Sequence, residues 1–393
     1  MYDLDKLFKE ISSSFSFLPS IKNYANKVTF KTTTKRDIIT NEKCILGIDV
    51  GSTTTKAILL ATSDNAILDT KYIYTNGNPI KAAKECYGAF NDIDVQIIGL
   101  GTTGSGRQIT GLHADANCVI NEITAHSNAA IFYDKDVNTI FEIGGQDAKY
   151  SYIVNQVPTD YAMNEACSAG TGSFIEEAAL ESLGVKLLDI ETLALKGENP
   201  PNFSDQCAAF ISSDIKTAQQ EGISTENIIA GLVYSICYNY LNRVVGTRRI
   251  GNKIFMQGGV CYNKAIPIAM AGISDKDIII PPEPGLMGAL GVALEVQKRV
   301  NNGLIEAKNY NLNELISKKV KQLPSFICAG GTDKCDIKCD IMLLEIAGRK
   351  HPFGGVCDKY NFASNTHTDV NIKTSADITD YVQLRNEIVG ILD

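Results

Sequence analysis

One sequence feature most constrains this fold. It is a short apolar run that carries an acidic residue near its end and is followed by a glycine turn. Residues 44–50 form the run, Asp49 is its acid, and Gly51 opens the turn. The pattern predicts a buried strand that enters a hairpin, with residues 57–60 as the returning strand. The turn's other polar side chains are Ser52, Thr53, Thr54 and Lys56. Because glycine has no Cβ, backbone N–H groups can approach a phosphate closely, while the hydroxyls and the lysine add donors and charge. The Walker pattern GxxxxGK[ST] is absent there, so the phosphate turn is of another kind.

The same arrangement recurs further along the chain. Residues 139–143 form an apolar strand with Glu142, which Gly144 and Gly145 follow, and residues 253–257 precede another glycine pair. Three strand-and-glycine turns in this order resemble the layout of the acetate kinase/sugar kinase/Hsp70/actin superfamily. That resemblance implies an α/β fold of two lobes with a nucleotide cleft between them.

The turns supply the residues expected to bind and hydrolyse the nucleotide. We predict catalytic roles for Asp49, Glu142, Gln146 and Asp147. We predict cofactor binding by Gly51, Ser52, Thr53, Thr54, Lys56, Gly144, Gly145, Gly258, Gly259 and Val260. Asp49 is placed to hold a metal-bound water, and Gln146 is the candidate for orienting the attacking water.

Two cysteines stand apart from the other thiols. Cys167 lies in the stretch 163–174 and Cys207 in 204–210, each where a glycine-rich or polar turn gives way to a helical pattern. Neither has a CxxC neighbour, so one chain offers two thiolates where a cubane iron–sulfur cluster needs four. Two copies of the chain would supply all four.

Several stretches together resemble the activator ATPases of the 2-hydroxyacyl-CoA dehydratases, a family that includes ATPase subunits of benzoyl-CoA reductase. The resemblance covers roughly residues 44 to 300. It is carried by the stretches 47–56, 101–107, 121–126, 143–149, 164–172, 257–260 and 281–284. It implies a homodimer that binds ATP and Mg²⁺ and shares one [4Fe-4S] cluster held by Cys167 and Cys207.

The resemblance also implies a function. An electron from ferredoxin or flavodoxin would pass, driven by ATP, to a 2-hydroxyacyl-CoA dehydratase or to a related CoA-ester or double-cubane reductase. Two alternatives stay open at this point. One is a small-molecule kinase of the same superfamily, and the other is a non-redox, ATP-binding regulatory domain.

Composition narrows the class of protein. The net charge of −8 over 393 residues argues against a nucleic-acid surface, and no apolar stretch reaches membrane-spanning length. The first 30 residues lack the apolar region of a signal peptide. The 11 scattered cysteines read as reduced thiols and metal ligands, so we expect a reducing cytoplasm. We predict that five isolated cysteines are core thiols: Cys44, Cys86, Cys118, Cys237 and Cys261. His113 and His126 are expected to be structural.

The chain divides into five expected parts. They are an N-terminal extension or linker (1–42), a first ATPase lobe (43–137), a second lobe with the cluster cysteines (138–283), a helix that returns to the first lobe (284–302) and a cysteine-rich extension (303–393). Similar extensions follow the ATPase module in large multi-domain relatives, so the chain is either full length or a piece of such a protein. The extension contains Cys328, Cys335, Cys339 and Cys357. Their spacing leaves open a second metal site or a plain structural role.

Overall fold

The computed structural model describes residues 13–32, 36–164, 170–203, 208–330, 335–346, 348–355 and 360. It divides into two compact units with the boundary between Lys319 and Val320. The strands are β1 Val28–Phe30, β2 Glu42–Val50, β3 Thr54–Ala61, β4 Ile67–Tyr74, β5 Val95–Thr103, β6 Cys118–Val119, β7 Thr139–Ile143, β8 Ala148–Val154, β9 Val157–Met163, β10 Lys253–Gln257, β11 Asp277–Ile280, β12 Val320–Ile327, β13 Asp340–Ile346 and β14 Arg349–Phe353. The α-helices are α1 Pro79–Phe90, α2 Arg107–Ala114, α3 Glu122–Tyr133, α4 Gly172–Leu183, α5 Leu187–Lys196, α6 Ala208–Gln220, α7 Thr225–Tyr240, α8 Ala265–Ser274, α9 Met287–Asn301 and α10 Leu312–Ser317.

The first lobe is built on a five-stranded sheet in the order β4-β3-β2-β5-β6. Strands β2 and β3 form the expected antiparallel hairpin, in which Asp49 pairs with Lys56, and β5 lies parallel to β2 on its other side. The seven C-terminal residues of β2 are buried. The hairpin therefore places the turn at the end of a rigid central strand.

The second lobe is built on a six-stranded sheet in the order β1-β11-β10-β7-β8-β9. Strands β7 and β10 are parallel neighbours, with Gln257 paired to Glu142. Because parallel strands end at the same edge of a sheet, the glycine pairs that follow β7 and β10 lie side by side. Both lobes have mixed sheets covered by helices, and this α/β architecture agrees with the predicted fold class.

Helix α9 packs on β2 and β5 of the first lobe and on α3. The approach is close because small residues face each other: a Cβ on Gly47 would lie 2.1 Å from the Ala289 carbonyl oxygen, and one on Gly291 would lie 1.7 Å from the Ala125 carbonyl oxygen. A shared core cluster, which includes Ile45 of β2 and Leu290, joins α9 and α3 to both sheets.

The described part of the N-terminal region differs from the expected extension or linker. Strand β1 lies parallel to β11 at the edge of the second lobe's sheet, and Ile21 is fully buried in that lobe's core. Tyr24 packs against Gly272 of α8, where a Cβ would lie 2.5 Å from the ring. A three-residue edge strand is too short to produce a recognisable period, which is why the sequence pattern missed it.

The C-terminal boundary also lies later than the sequence suggested. Leu312 and Leu315 of α10 are buried in the first lobe's core with Tyr87 of α1, so residues 303–319 belong to the first unit. The second unit has a three-stranded antiparallel sheet in the order β12-β13-β14. Within the described ranges, no helix is both long enough and apolar enough to cross a membrane.

Candidate nucleotide site

A cleft of about 650 Å³ opens where the glycine turns of the two lobes meet. Every catalytic and cofactor-binding candidate predicted from the sequence lines this cleft. These residues are Asp49, Gly51, Ser52, Thr53, Thr54, Lys56, Glu142, Gly144, Gly145, Gln146, Asp147, Gly258, Gly259 and Val260. The fold thus brings together residues from Asp49 to Val260, which are more than two hundred positions apart in the sequence.

Asp49 is held rigidly at the end of β2. Its side chain is buried, with 6% of the residue exposed, and Lys56 Nζ lies 3.7 Å from its Oδ2 atom. A Cβ on Gly104 would lie 2.5 Å from Asp49 Oδ1, and one on Gly288 would lie 2.6 Å from Oδ2. Two glycine backbones therefore enclose the carboxylate. A ligand can approach it from the side that faces the cleft.

The first turn is closed by hydrogen bonds of its own. The Gly51 N–H donates to the Thr54 carbonyl at 2.9 Å, and the Thr75 hydroxyl donates to the Gly51 carbonyl at 2.8 Å. Lys56 lies beside this turn, 5.5 Å from the centre of the Tyr72 ring. Burial acts to lower the pKa of Lys56, but Asp49 together with Tyr72, Glu142 and Asp147 outweighs burial, so the pKa is raised and the ammonium stays charged.

The second turn, at Gly144, is equally tight. The Gly144 N–H donates to the Asp147 carbonyl at 2.8 Å. A Cβ on Gly144 would lie 2.7 Å from Asp147 Oδ1, so only glycine fits without moving the carboxylate. Gln146, at the tip of this turn, is exposed to the cleft.

Sequence reasoning missed the cation at the centre of this turn, Lys149. It is 2% exposed, and its Nζ lies 2.5 Å from Asp147 Oδ2, 3.4 Å from Glu142 Oε1 and 3.8 Å from Glu122 Oε2. Burial opposes its charge, but the three carboxylates outweigh burial and raise the pKa of Lys149. Burial likewise opposes ionisation of Asp147, yet the adjacent ammonium holds the pKa of that carboxyl below its usual range. For Glu122 burial prevails and the pKa is raised.

His126 also lies in the cleft, where the sequence suggested only a structural role. Gln257 Nε2 and His126 Nδ1 are hydrogen-bonded, and His126 Nε2 lies 3.3 Å from Glu142 Oε1. All three residues are buried. The positions of these residues in the sequence could have identified them. His126 and Lys149 end two of the stretches that carried the family resemblance, and Gln257 directly precedes a glycine pair.

The predicted cluster ligands, Cys167 and Cys207, lie outside the described residues, as does Cys357 of the proposed second site. Of the other three, Cys328 is buried, Cys339 is half-buried and Cys335 is exposed. The described residues contain no group of three or more His, Cys, Asp or Glu side chains arranged to hold a metal ion. The second site therefore stays a prediction. The five isolated cysteines are all buried, as expected of core thiols.

The comparison with known families decides the assignment. The family model described as the BadF/BadG/BcrA/BcrD ATPase family matches residues 46–296. The chain belongs to this family. As a BadF/BadG/BcrA/BcrD ATPase it binds and hydrolyses ATP, and the family resemblance expected from the sequence is confirmed.

Relatives and solved structures agree with this assignment. The 2-hydroxyisocaproyl-CoA dehydratase activator of Clostridioides difficile is 30% identical over 269 residues, which are 67% of this chain and 98% of that protein. The structure of component A of the (R)-2-hydroxyglutaryl-CoA dehydratase of Acidaminococcus fermentans matches with a TM-score of 0.59 and 28% identity, over 66% of this chain and 99% of that one. The structure of the 2-hydroxyisocaproyl-CoA dehydratase activator from Clostridium difficile with bound ADPNP matches with a TM-score of 0.56 and 30% identity. The match covers 66% of this chain and 97% of that one. The two-lobed fold class is thereby confirmed.

Proposed function

We propose that this ATPase is an electron-transfer activator, which uses ATP to pass a low-potential electron to a 2-hydroxyacyl-CoA dehydratase or a related reductase. The observation that carries the proposal is the convergence of all the predicted nucleotide residues on one cleft between two lobes, in a chain of this family. The relatives are named as activators of such dehydratases, and the same type of partner fits this chain.

ATP would lie across the cleft with its phosphates between the two glycine turns. Residues 51–54 and the glycine pair at 144–145 line the cleft together, and Lys56 adds a positive charge. Apolar side chains also line this cleft and would contact the base: Ile175, Leu187, Val260 and Ile266.

The carboxylates of the cleft fit Mg²⁺. This ion is usually bound by one or two carboxylates together with substrate phosphates and waters, and the described residues lack a larger ligand group. Glu142 is engaged by Lys149 and His126. Asp49 has one cation nearby among the described residues, Lys56 at 3.7 Å, and we propose Asp49 as the carboxylate that holds the ion or its water. Mg²⁺ would neutralise charge on the phosphates, and Gln146 would orient the attacking water.

The electron would be held on a [4Fe-4S] cluster shared by two copies of the chain. Cys207 directly precedes α6 and Cys167 precedes α4 by five residues, and α4 and α6 pack against each other. A helix N-terminus favours a bound anion such as a thiolate-ligated cluster. The five core thiols are poor candidates for cluster ligands, because burial raises the pKa of each thiol, for example to about 12 in Cys44 and Cys86.

The cluster also implies an oligomeric state, an electron donor and a cellular compartment. A cluster with two ligands per chain requires a homodimer, and a ferredoxin or flavodoxin would supply the electron. A reducing cytoplasm would preserve both the thiols and the cluster.

Anaerobic reconstitution tests the proposal. We expect the wild-type dimer to bind about four iron atoms per two chains, in line with one cubane, and to show a visible chromophore. Cys167→Ser and Cys207→Ser should each lose the iron and keep ADP binding. Cys118→Ala, which removes a buried thiol outside both candidate metal sites, is the matched control and should keep the iron. Iron-free wild-type protein, or a Cys167→Ser/Cys207→Ser variant that retains the wild-type iron content, would refute the cluster assignment.

A further inference from the structure

The phosphate turn at residues 144–148 is hydrogen-bonded to the chain on both sides of residues 165–169. On one side, its bonds reach Asn164 at the end of β9. On the other, they reach Gly172 and Ser173 at the start of α4. Covalent connectivity places Cys167 between these two attachment points.

The attachment to α4 replaces the usual helix cap. The first N–H groups of a helix have no partner within the helix and are commonly capped by a side chain. Here Thr171, at the N-cap position, makes no side-chain cap. Instead the Gly172 N–H donates to the Gly144 carbonyl at 2.9 Å, and the Ser173 N–H donates to the Gly145 carbonyl at 2.9 Å. The Ser173 hydroxyl donates to the same Gly145 carbonyl.

The start of α4 packs tightly against the phosphate turn. A Cβ on Gly172 would lie 2.9 Å from Val260 Cγ2 and 3.2 Å from Gly145 Cα. Gly172 and Ser173 also line the nucleotide cleft together with the glycine pair. A displacement of the turn must therefore displace the first turn of α4.

The attachment to β9 is a two-bond link. The Asn164 N–H donates to the Ala148 carbonyl at 3.0 Å, and the Ala148 N–H donates to Asn164 Oδ1 at 2.8 Å. The second bond needs an oxygen acceptor on the side chain at position 164. Asparagine and aspartate provide one, and alanine does not.

We infer that Asn164 and Ser173 are positioning residues through which the phosphate turn sets both ends of the segment that carries Cys167, so that nucleotide state controls the cluster. The inference rests on the proposed function, because it names the route by which that function couples its two sites. A nucleotide can shift only states that it binds with different affinity. The γ-phosphate, present in ATP and absent from ADP, provides that difference at the turn.

Hydrogen–deuterium exchange on the whole wild-type chain of 393 residues tests the route without any cluster. We expect the amides at the start of α4 to exchange at different rates with ADP and with ADPNP bound. Ser173→Ala and Asn164→Ala should shrink that difference, and Ser173→Thr and Asn164→Asp, which keep a hydroxyl and an acceptor, should restore it. Equal exchange with both nucleotides in the wild type, at confirmed occupancy, would overturn the inference.

Removal of iron by a chelator from reconstituted protein is the second readout. We expect the wild-type rates in the two nucleotide states to differ about fivefold or more, the lower end of ordinary coupling strengths. The ratio should fall in Ser173→Ala and in Asn164→Ala, because each variant loses a side-chain hydrogen bond to the turn while the backbone bonds remain. Ser213→Ala is the matched control, because the Ser213 hydroxyl bonds only within α6, to the Phe210 carbonyl, and this variant should keep the wild-type ratio.

The two readouts separate the two proposals. Absence of iron from the wild type would refute the cluster, while the exchange experiment would still decide the role of Asn164 and Ser173. If the wild type shows the nucleotide-dependent ratio and the Asn164→Ala/Ser173→Ala variant retains it in full, the route is wrong and the proposed function stands.

Discussion

Lys149 Nζ lies 3.4 Å from Glu142 Oε1, and the two residues are directly paired across the antiparallel strands β7 and β8. Both are buried, with 2% and 9% of each residue exposed. Asp147 and Glu122 approach the same ammonium. One buried cation thus compensates a group of carboxylates at the floor of the nucleotide cleft.

Replacing Lys149 with methionine should destabilise the protein. The side chain keeps its apolar stem, but the carboxylates lose their partner, and breaking a buried ion pair in this way costs about 3–5 kcal/mol. We expect urea unfolding at pH 8 to show this loss in the free energy of unfolding. The loss should shrink towards pH 5, because burial already raises the pKa of Glu122 and protonation removes the uncompensated charge.

Lys135→Met is the control for that experiment, since Lys135 is exposed and does not line the cleft. Its unfolding should match that of the wild type. A Lys149→Met protein as stable as the wild type at pH 8 would contradict the compensating role.

Replacing Asp49 with asparagine should abolish most ATP hydrolysis. The amide keeps the shape of the side chain between Gly104 and Gly288 but loses the charge that would position Mg²⁺. Loss of one preorganised electrostatic group typically costs about 100- to 1,000-fold in kcat, and we expect a decrease of this size in steady-state hydrolysis. Asp92→Asn, at an exposed turn remote from the cleft, should leave the rate unchanged. Hydrolysis at the wild-type rate in Asp49→Asn would remove Asp49 from the catalytic set.

His113 should make stability depend on pH. Its ring stacks on Tyr87, with the ring centroids 6.1 Å apart, and neither ring nitrogen has a hydrogen-bond partner among the described residues. Burial lowers the pKa of His113 from 6.5 to about 4. Between these values the unfolded chain binds the proton and the folded chain does not, so this group favours unfolding increasingly as the pH falls from about 6.5 to about 4.

His113→Phe removes the titrating group and keeps an aromatic ring against Tyr87. We expect the free energy of unfolding to fall less between pH 7 and pH 5 in this variant than in the wild type, as measured by urea titration at both values. An equal decrease in the two proteins would show that His113 does not titrate on unfolding.

The phosphate turns were predictable because their signals are local. An apolar strand, an acid near its end and a glycine that permits close backbone approach occur within about ten residues, and the cleft contains every residue so chosen. Two of the expected boundaries, at residues 42 and 303, were displaced because β1 and α10 are short elements whose burial depends on distant partners.

By itself, the sequence determined the family, the two-lobed fold and the residues of the glycine turns, because each depends on short patterns of backbone freedom, charge and hydrophobic period. Only the tertiary structure decided that His126 of α3 and Gln257 of β10 meet at Glu142, and that Lys149 compensates the carboxylates. It also decided that Asn164 and Ser173 attach one phosphate turn to both sides of residues 165–169. The physical reason is that buried charge pairing and hydrogen bonding between distant segments depend on which elements pack together, and sequence spacing does not encode those distances.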